Sequence, residues 1–171
     1  MRIPPVVTGT RPELAQLEAS IATQRGRVSP LYQVLLNSPP MAHGWEQLLT
    51  AVRRHNTLDA IDRELIIVRV AALNDARFEY EAHVPIALAA GATQASIDTV
   101  SDPARTVDGL ADATRALIDL TDAMTRDIRV PDEIYARVRN YYTERQVVDA
   151  MVTIGAYNMV SRFLEALHIG H

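Results

Sequence analysis

An all-helical fold is predicted by three observations. Apolar residues recur at helical spacing along most of the chain, no stretch alternates apolar and polar residues between hairpin turns, and the apolar content comes mainly from Ala, Val, Leu and Ile. Aromatic residues make up only 5% of the sequence, which suits helices packed through small and aliphatic side chains. The 171 residues fall within the size of one domain that buries a core without disulfides or metal. The expectation is therefore a single helical domain over residues 1–171, of roughly eight helices and no sheet.

The elements follow in chain order. Residues 1–10 read as an extended arm, because Pro4 and Pro5 remove backbone donors and hold their neighbours out of helical geometry. Thr10, Pro12 and Glu13 make a helix start, and Leu14, Leu17 and Ile21 continue the helix to Gly26. A short helix over residues 30–36 ends at Asn37-Ser38-Pro39-Pro40. The next spans residues 41–55 with Trp45, Leu48, Leu49 and Val52 inward; Met41 and Met124 are also read as packing residues.

Over residues 59–73, Ile61, Leu65, Ile66, Val68 and Val70 surround almost the whole circumference, which predicts a central, buried helix. Asn74-Asp75 breaks it, and a helix from Ala76 or Arg77 to Ala90 closes at Gly91 before Thr93 starts another. Residues 101–106 read as loop. Leu110, Ala113, Leu117, Leu120 and Met124 mark a further helix, and Pro131 opens one carrying Ile134, Val138 and Tyr141. Thr143 with Gln146 forms a capping box for a last helix that runs to about His168. Within it, Asn158 beside Tyr157 needs a partner, and the pair either packs or lines a pocket or an oligomer contact.

Charge and composition exclude several function classes. Seventeen basic against 21 acidic residues give a net charge of −4, and no basic cluster exceeds Arg53-Arg54, so nucleic acid is not an expected partner. The longest purely apolar stretches fall far short of the roughly 20 residues that span a bilayer, so no membrane partner is expected. The first residues lack the apolar segment and cleavage site of a signal peptide, which assigns the chain to the cytoplasm. The absence of cysteine removes thiol nucleophiles, disulfide exchange and Cys-ligated metal together. His168 and His171 lie in a C-terminal tail without a carboxylate partner, and no metal is expected there or elsewhere.

The chemistry concentrates in residues 63–84. Glu64 sits on a helix apolar nearly all round, so its carboxylate must be paired, protonated or facing a cleft, with Arg63, Arg69 or Arg77 as its possible answers. Glu79 and His83 stand four residues apart on the next helix and share one face, with Ala76 and Tyr80 alongside. A carboxylate beside an imidazole orients the ring and favours its protonated form. If Glu64 reaches that face, the three residues make an acid/base cluster. Each also has a plainer reading: His83 as a histidine fixing two helices, Glu64 as a buried ion pair, and Glu79 as a surface salt bridge.

Glu64, Ala76, Glu79 and His83 fall at offsets that resemble the core of the carboxymuconolactone decarboxylases and of the alkyl hydroperoxidase D group. That pattern is a Glu, a Cys twelve residues on, a second Cys or a Glu three further, and a His four further. Here the first Cys is alanine, and Glu79 is the glutamate of the decarboxylase-like branch. The Glu79-Tyr80-Glu81 run before His83, the Arg2-Ile3-Pro4-Pro5 start, Gly91-Ala92-Thr93 and the segment from Gly155 to Val160 are also similar to family features.

The resemblance implies an all-helical fold assembled as a homo-oligomer, trimer or hexamer, with a pocket near His83. It also implies decarboxylase-type chemistry on a small carboxylated or lactone molecule from aromatic catabolism, without a metal or organic cofactor. His83 is then the proton donor, Glu79 or Glu64 holds its tautomer, and Tyr80, Arg63 or Arg77 meets a substrate carboxylate or oxyanion. Hydroperoxidase members use two sulfurs that this chain lacks, so thiol peroxidase activity is excluded. The rival reading is a catalytically silent helical oligomer that binds a ligand or supports a partner.

Overall fold

The computed structural model describes residues 1–104 and 107–170; Arg105 and Thr106 of the expected loop, and His171 of the C-terminal pair, lie outside the described residues. All described regular structure is helical, as the sequence predicts: a 3-10 turn at Pro12–Leu14 and nine α-helices. These are α1 (Ala15–Arg25), α2 (Pro30–Leu35), α3 (Pro39–Arg54), α4 (Ala60–Leu73), α5 (Arg77–Ala90), α6 (Gln94–Ser101), α7 (Asp112–Arg126), α8 (Asp132–Arg139) and α9 (Glu144–Leu167). Among the described residues, no helix is long and apolar enough to cross a membrane.

Met1–His55, together with the residues from Leu164, forms one compact unit. Its N-terminal arm is extended and strapped down. Val6 donates to the Gln33 carbonyl at 2.9 Å, Asn37 Nδ2 donates to the Pro4 carbonyl at 2.9 Å, and Gly9 N–H donates to buried Glu18 at 3.0 Å. Gly26, at φ +80°, closes α1 in the left-handed conformation that a Cβ disfavours. Helix α3 starts two residues earlier than the periodicity suggests, because Pro39 occupies a first-turn position where its missing N–H costs nothing. Leu49 and Val52 are buried as expected, whereas Leu48 and Met41 are exposed. In their place α3 buries Glu46, whose Oε1 accepts from Thr50 at 2.6 Å and faces the Arg25 guanidinium at 3.5 Å. Spacing marks a helix face but not whether another element covers it.

Asn56–Phe163 forms the second unit. Asp59 caps α4 by accepting from the Ile61 N–H. The helix then buries every residue from Glu64 to Ala71, as its all-round apolar pattern predicts. Leu65 and Val68 of α4 pack with Ala87, Ala92, Ile97, Val100, Leu110 and Ile118, each large side chain contributing about 1.5–3 kcal/mol when withdrawn from water. One charge lies inside this packing. Arg69 is answered twice by Asp122 on α7, both at 2.7 Å, and donates to the Val100 and Asp102 carbonyls, so its buried guanidinium is held from two sides.

Gly91 at φ +105° ends α5, and Thr93 caps α6 by accepting from the Ser96 N–H. Pro131 precedes α8 as its N-cap, while Tyr141 lies beyond that helix and is exposed instead of facing a core. The capping box of α9 forms as predicted: Gln146 N–H donates to Thr143 Oγ1, and Thr143 N–H donates to Gln146 Oε1. Helix α5 runs through Pro85, which removes one ladder bond; Pro85 and Glu81, four residues back, are both exposed, so the loss falls on the solvent side.

Candidate functional site

The site is built on the α4–α5 hairpin. Asp75 turns the chain at φ +52°, a conformation that Asp tolerates better than most residues, and the Ala76 N–H donates back to the Ala71 carbonyl at 2.9 Å. This turn folds α5 against α4 and carries His83 to Glu64, 19 residues away in sequence. His83 Nδ1 and Glu64 Oε2 lie 2.7 Å apart, with Glu64 1% and His83 7% exposed. With the carboxylate ionised, Nδ1 carries the donated proton, which leaves Nε2 as the nitrogen that exchanges one. Glu64 Oε1 accepts from Arg63 Nε and Nη2, both at 3.3 Å.

Of the three cations able to answer Glu64, the structure therefore selects Arg63. Arg69 belongs to Asp122, and Arg77 pairs with Glu81 on the surface, with its side chain 83% exposed.

Helix α9 supplies the facing wall. Its Tyr157 ring meets His83 edge-on, with centroids 5.0 Å apart and planes at 88°, and its Ser161 hydroxyl donates to Glu79 Oε2 at 2.5 Å. Tyr157 and Ser161 are one turn apart, as are Glu79 and His83, so the two pairs form an antiparallel ladder between α5 and α9. Ser161 carried no signal in the sequence, because it lies 82 residues from Glu79 and sits at an unremarkable position in an apolar run.

Glu79 is not the residue that orients His83; Glu64 is. Glu79 is 3% exposed, its Oε1 has no hydrogen-bond partner among the described residues, and burial pushes its pKa up to about 8 against the opposing effect of the Ser161 bond. Glu64 is paired to a cation and an imidazole, while Glu79 is buried against the Ser161 hydroxyl, and that burial favours its protonated form at neutral pH.

The remaining candidates go elsewhere. The Tyr80 hydroxyl bonds Ser101 Oγ at 2.9 Å, and its ring packs on the core around Leu65 and Val68, so it is not brought to His83. Ala76 is buried at the N-terminus of α5. Asn158 finds the partners its burial requires: Nδ2 donates to Thr125 Oγ1 and the Ile154 carbonyl, and Oδ1 accepts from Asn74 and Arg162.

Residues 39–122, which include Glu64, Glu79 and His83, match the model of the carboxymuconolactone decarboxylase family. Over 116 residues the chain is 30% identical to the uncharacterized protein YdfG of Bacillus subtilis, an alignment covering 67% of this chain and 78% of that one. Its fold is similar to that of an uncharacterized peroxidase-related protein from Ralstonia eutropha, described as an alkylhydroperoxidase AhpD core. The TM-score is 0.81 at 17% identity, over 98% of this chain and 90% of that one. The debrominase Bmp8 in complex with 2,3,4-tribromopyrrole gives a TM-score of 0.81 at 14% identity, with the same coverage. At these identities the two solved structures share the fold alone.

Proposed function

This chain belongs to the carboxymuconolactone decarboxylase family, and from that premise we propose that it is an acid/base enzyme of the lyase type, acting on a small carboxylated or lactone molecule without a cofactor. The observation that carries the reading is the buried 2.7 Å bond between His83 Nδ1 and Glu64 Oε2. It fixes the imidazole in one orientation and leaves the other ring nitrogen, Nε2, to exchange a proton.

In the reaction so read, the bond from carbon to a carboxylate breaks, CO2 leaves, and its electron pair enters a conjugated carbonyl to give an enolate. The imidazolium of His83 then delivers its Nε2 proton to carbon, and Glu64 steadies the charge change on the ring. Positioned proton transfer of this kind contributes about 10²–10⁴ in rate. Thiol chemistry has no place in it, since the chain contains no cysteine.

The same reading includes a cytoplasmic homo-oligomer, trimer or hexamer. Self-association is supported by exposed apolar residues at helical spacing on α9, namely Val148, Val152 and Met159.

One observation favours the silent alternative: Glu64, Glu79 and His83 are all at least nine-tenths buried. A panel of β-keto acids and unsaturated lactone acids, followed by CO2 release and by deuterium incorporation, separates the two readings. Turnover by the native chain that falls by about 100-fold or more in His83→Gln supports the enzyme. Equal turnover by the two proteins sinks it.

A further inference from the structure

Nothing in the His83–Glu64 pair uses Glu79. Its surroundings are specific. Oε2 accepts the Ser161 hydroxyl, while Oε1, on a side chain nine-tenths buried, has no partner among the described residues. It shares a helix face with His83 one turn away, and both meet α9, through Ser161 and Tyr157. Its neighbour three residues back on that face is Ala76, a single methyl group.

The two oxygens are therefore chemically distinct. A hydroxyl donating to Oε2 makes that oxygen the acceptor, so the proton of the neutral acid resides on Oε1. An O–H held in a buried place with nothing to donate to is costly, and it is recovered when an acceptor arrives. Burial keeps the carboxyl protonated at neutral pH, pushing its pKa up to about 8.

We infer that Glu79 Oε1 donates a hydrogen bond to the carbonyl or enolate oxygen of a small carbon acid whose reacting carbon lies against His83, Ser161 being the residue that orients it. This inference rests on the acid/base reading and narrows its substrate class. The molecule carries a carbonyl conjugated with the carbon that loses CO2 or exchanges a proton, and its oxygen, not its carboxylate, is what Glu79 meets. No proton need leave Glu79 during the step. The electron pair released at carbon settles on the oxygen that Glu79 O–H faces, and the proton that returns to carbon comes from His83. A carboxylate at position 79 would repel that oxygen, which is why a neutral acid is required.

The probe is 4-nitrophenol, whose phenolate oxygen stands in for an enolate, and it is added to the native chain and to three variants. The native chain should show an infrared band of a protonated carboxyl at neutral pH that disappears in Glu79→Gln and shifts when the probe binds. The amide of Glu79→Gln still offers an N–H, so it should keep probe affinity within about threefold, whereas Glu79→Leu should lose about tenfold or more. His83→Gln should retain the band. The inference is overturned if no such band is present, if the probe leaves it unmoved, or if Glu79→Gln weakens binding as much as Glu79→Leu. Unchanged turnover in His83→Gln would remove the acid/base reading itself, whereas lost turnover there with an unmoved Glu79 band removes only this inference.

Discussion

His83 Nδ1 and Glu64 Oε2 meet at 2.7 Å across the α4–α5 hairpin, and Glu64 is held on its other oxygen by Arg63. The carboxylate is thus the common partner of two cationic or potentially cationic groups inside the fold. Replacing it with a nonpolar group leaves both uncompensated, so Glu64→Leu should destabilise the chain by about 3–5 kcal/mol in urea unfolding. Glu64→Gln preserves shape but turns one acceptor oxygen into a donor, so it should reduce turnover by about 100-fold and destabilise the chain by less than Glu64→Leu does.

Glu79 gives stability a defined pH dependence. Its folded pKa of about 8 lies above the ordinary value of 4.5, so between these limits the folded chain binds a proton that the unfolded chain has released. Its contribution is complete below about pH 4.5 and is lost as pH rises through about 8, by on the order of a few kcal/mol. Glu79→Gln removes the titration. Urea unfolding at about pH 5 and about pH 8 should show the native chain losing stability relative to the variant at the higher value; a constant difference would contradict this.

Arg69 is the buried cation of the second unit, and Asp122 supplies its only carboxylate among the described residues. Asp122→Ala should lower stability by about 3–5 kcal/mol. The double variant Arg69→Met/Asp122→Ala should recover much of that loss, because it also removes the unpaired charge. A thermal melt of the three proteins checks both statements.

Arg77 pairs with Glu81 at 2.7 Å on the open surface. Arg77→Ala should therefore leave both melting temperature and turnover unchanged. A loss of turnover at unchanged stability would show that this side chain swings to a substrate.

What the sequence made legible was local. The helices, the Thr93 cap, the Thr143–Gln146 box and the buried circumference of α4 are written in spacings of three and four residues, and all are present. The meeting of Glu64 with His83 was also within reach, since two consecutive helices joined by a three-residue break fold back on each other. The partner of Glu79 was not, because it depends on which face of α9, 82 residues on, packs against α5. Leu48 and Met41 differ from expectation for the same reason. Periodicity places them on a stripe, but tertiary packing leaves that part of the stripe uncovered. Arg69 shows the converse, a charge in an apolar run whose two carbonyl acceptors follow from where α6 ends.

The reciprocal cap at Thr143 fixes where α9 begins, and Tyr157 and Ser161 are counted from that point along one unbroken helix. Each residue added to or removed from a helix turns everything beyond it by about 100°. A single insertion between residues 147 and 156 would swing both wall side chains away from His83 and Glu79 while leaving the helix itself intact. The length of α9 up to Ser161 is therefore as much a part of the site as the side chains it carries.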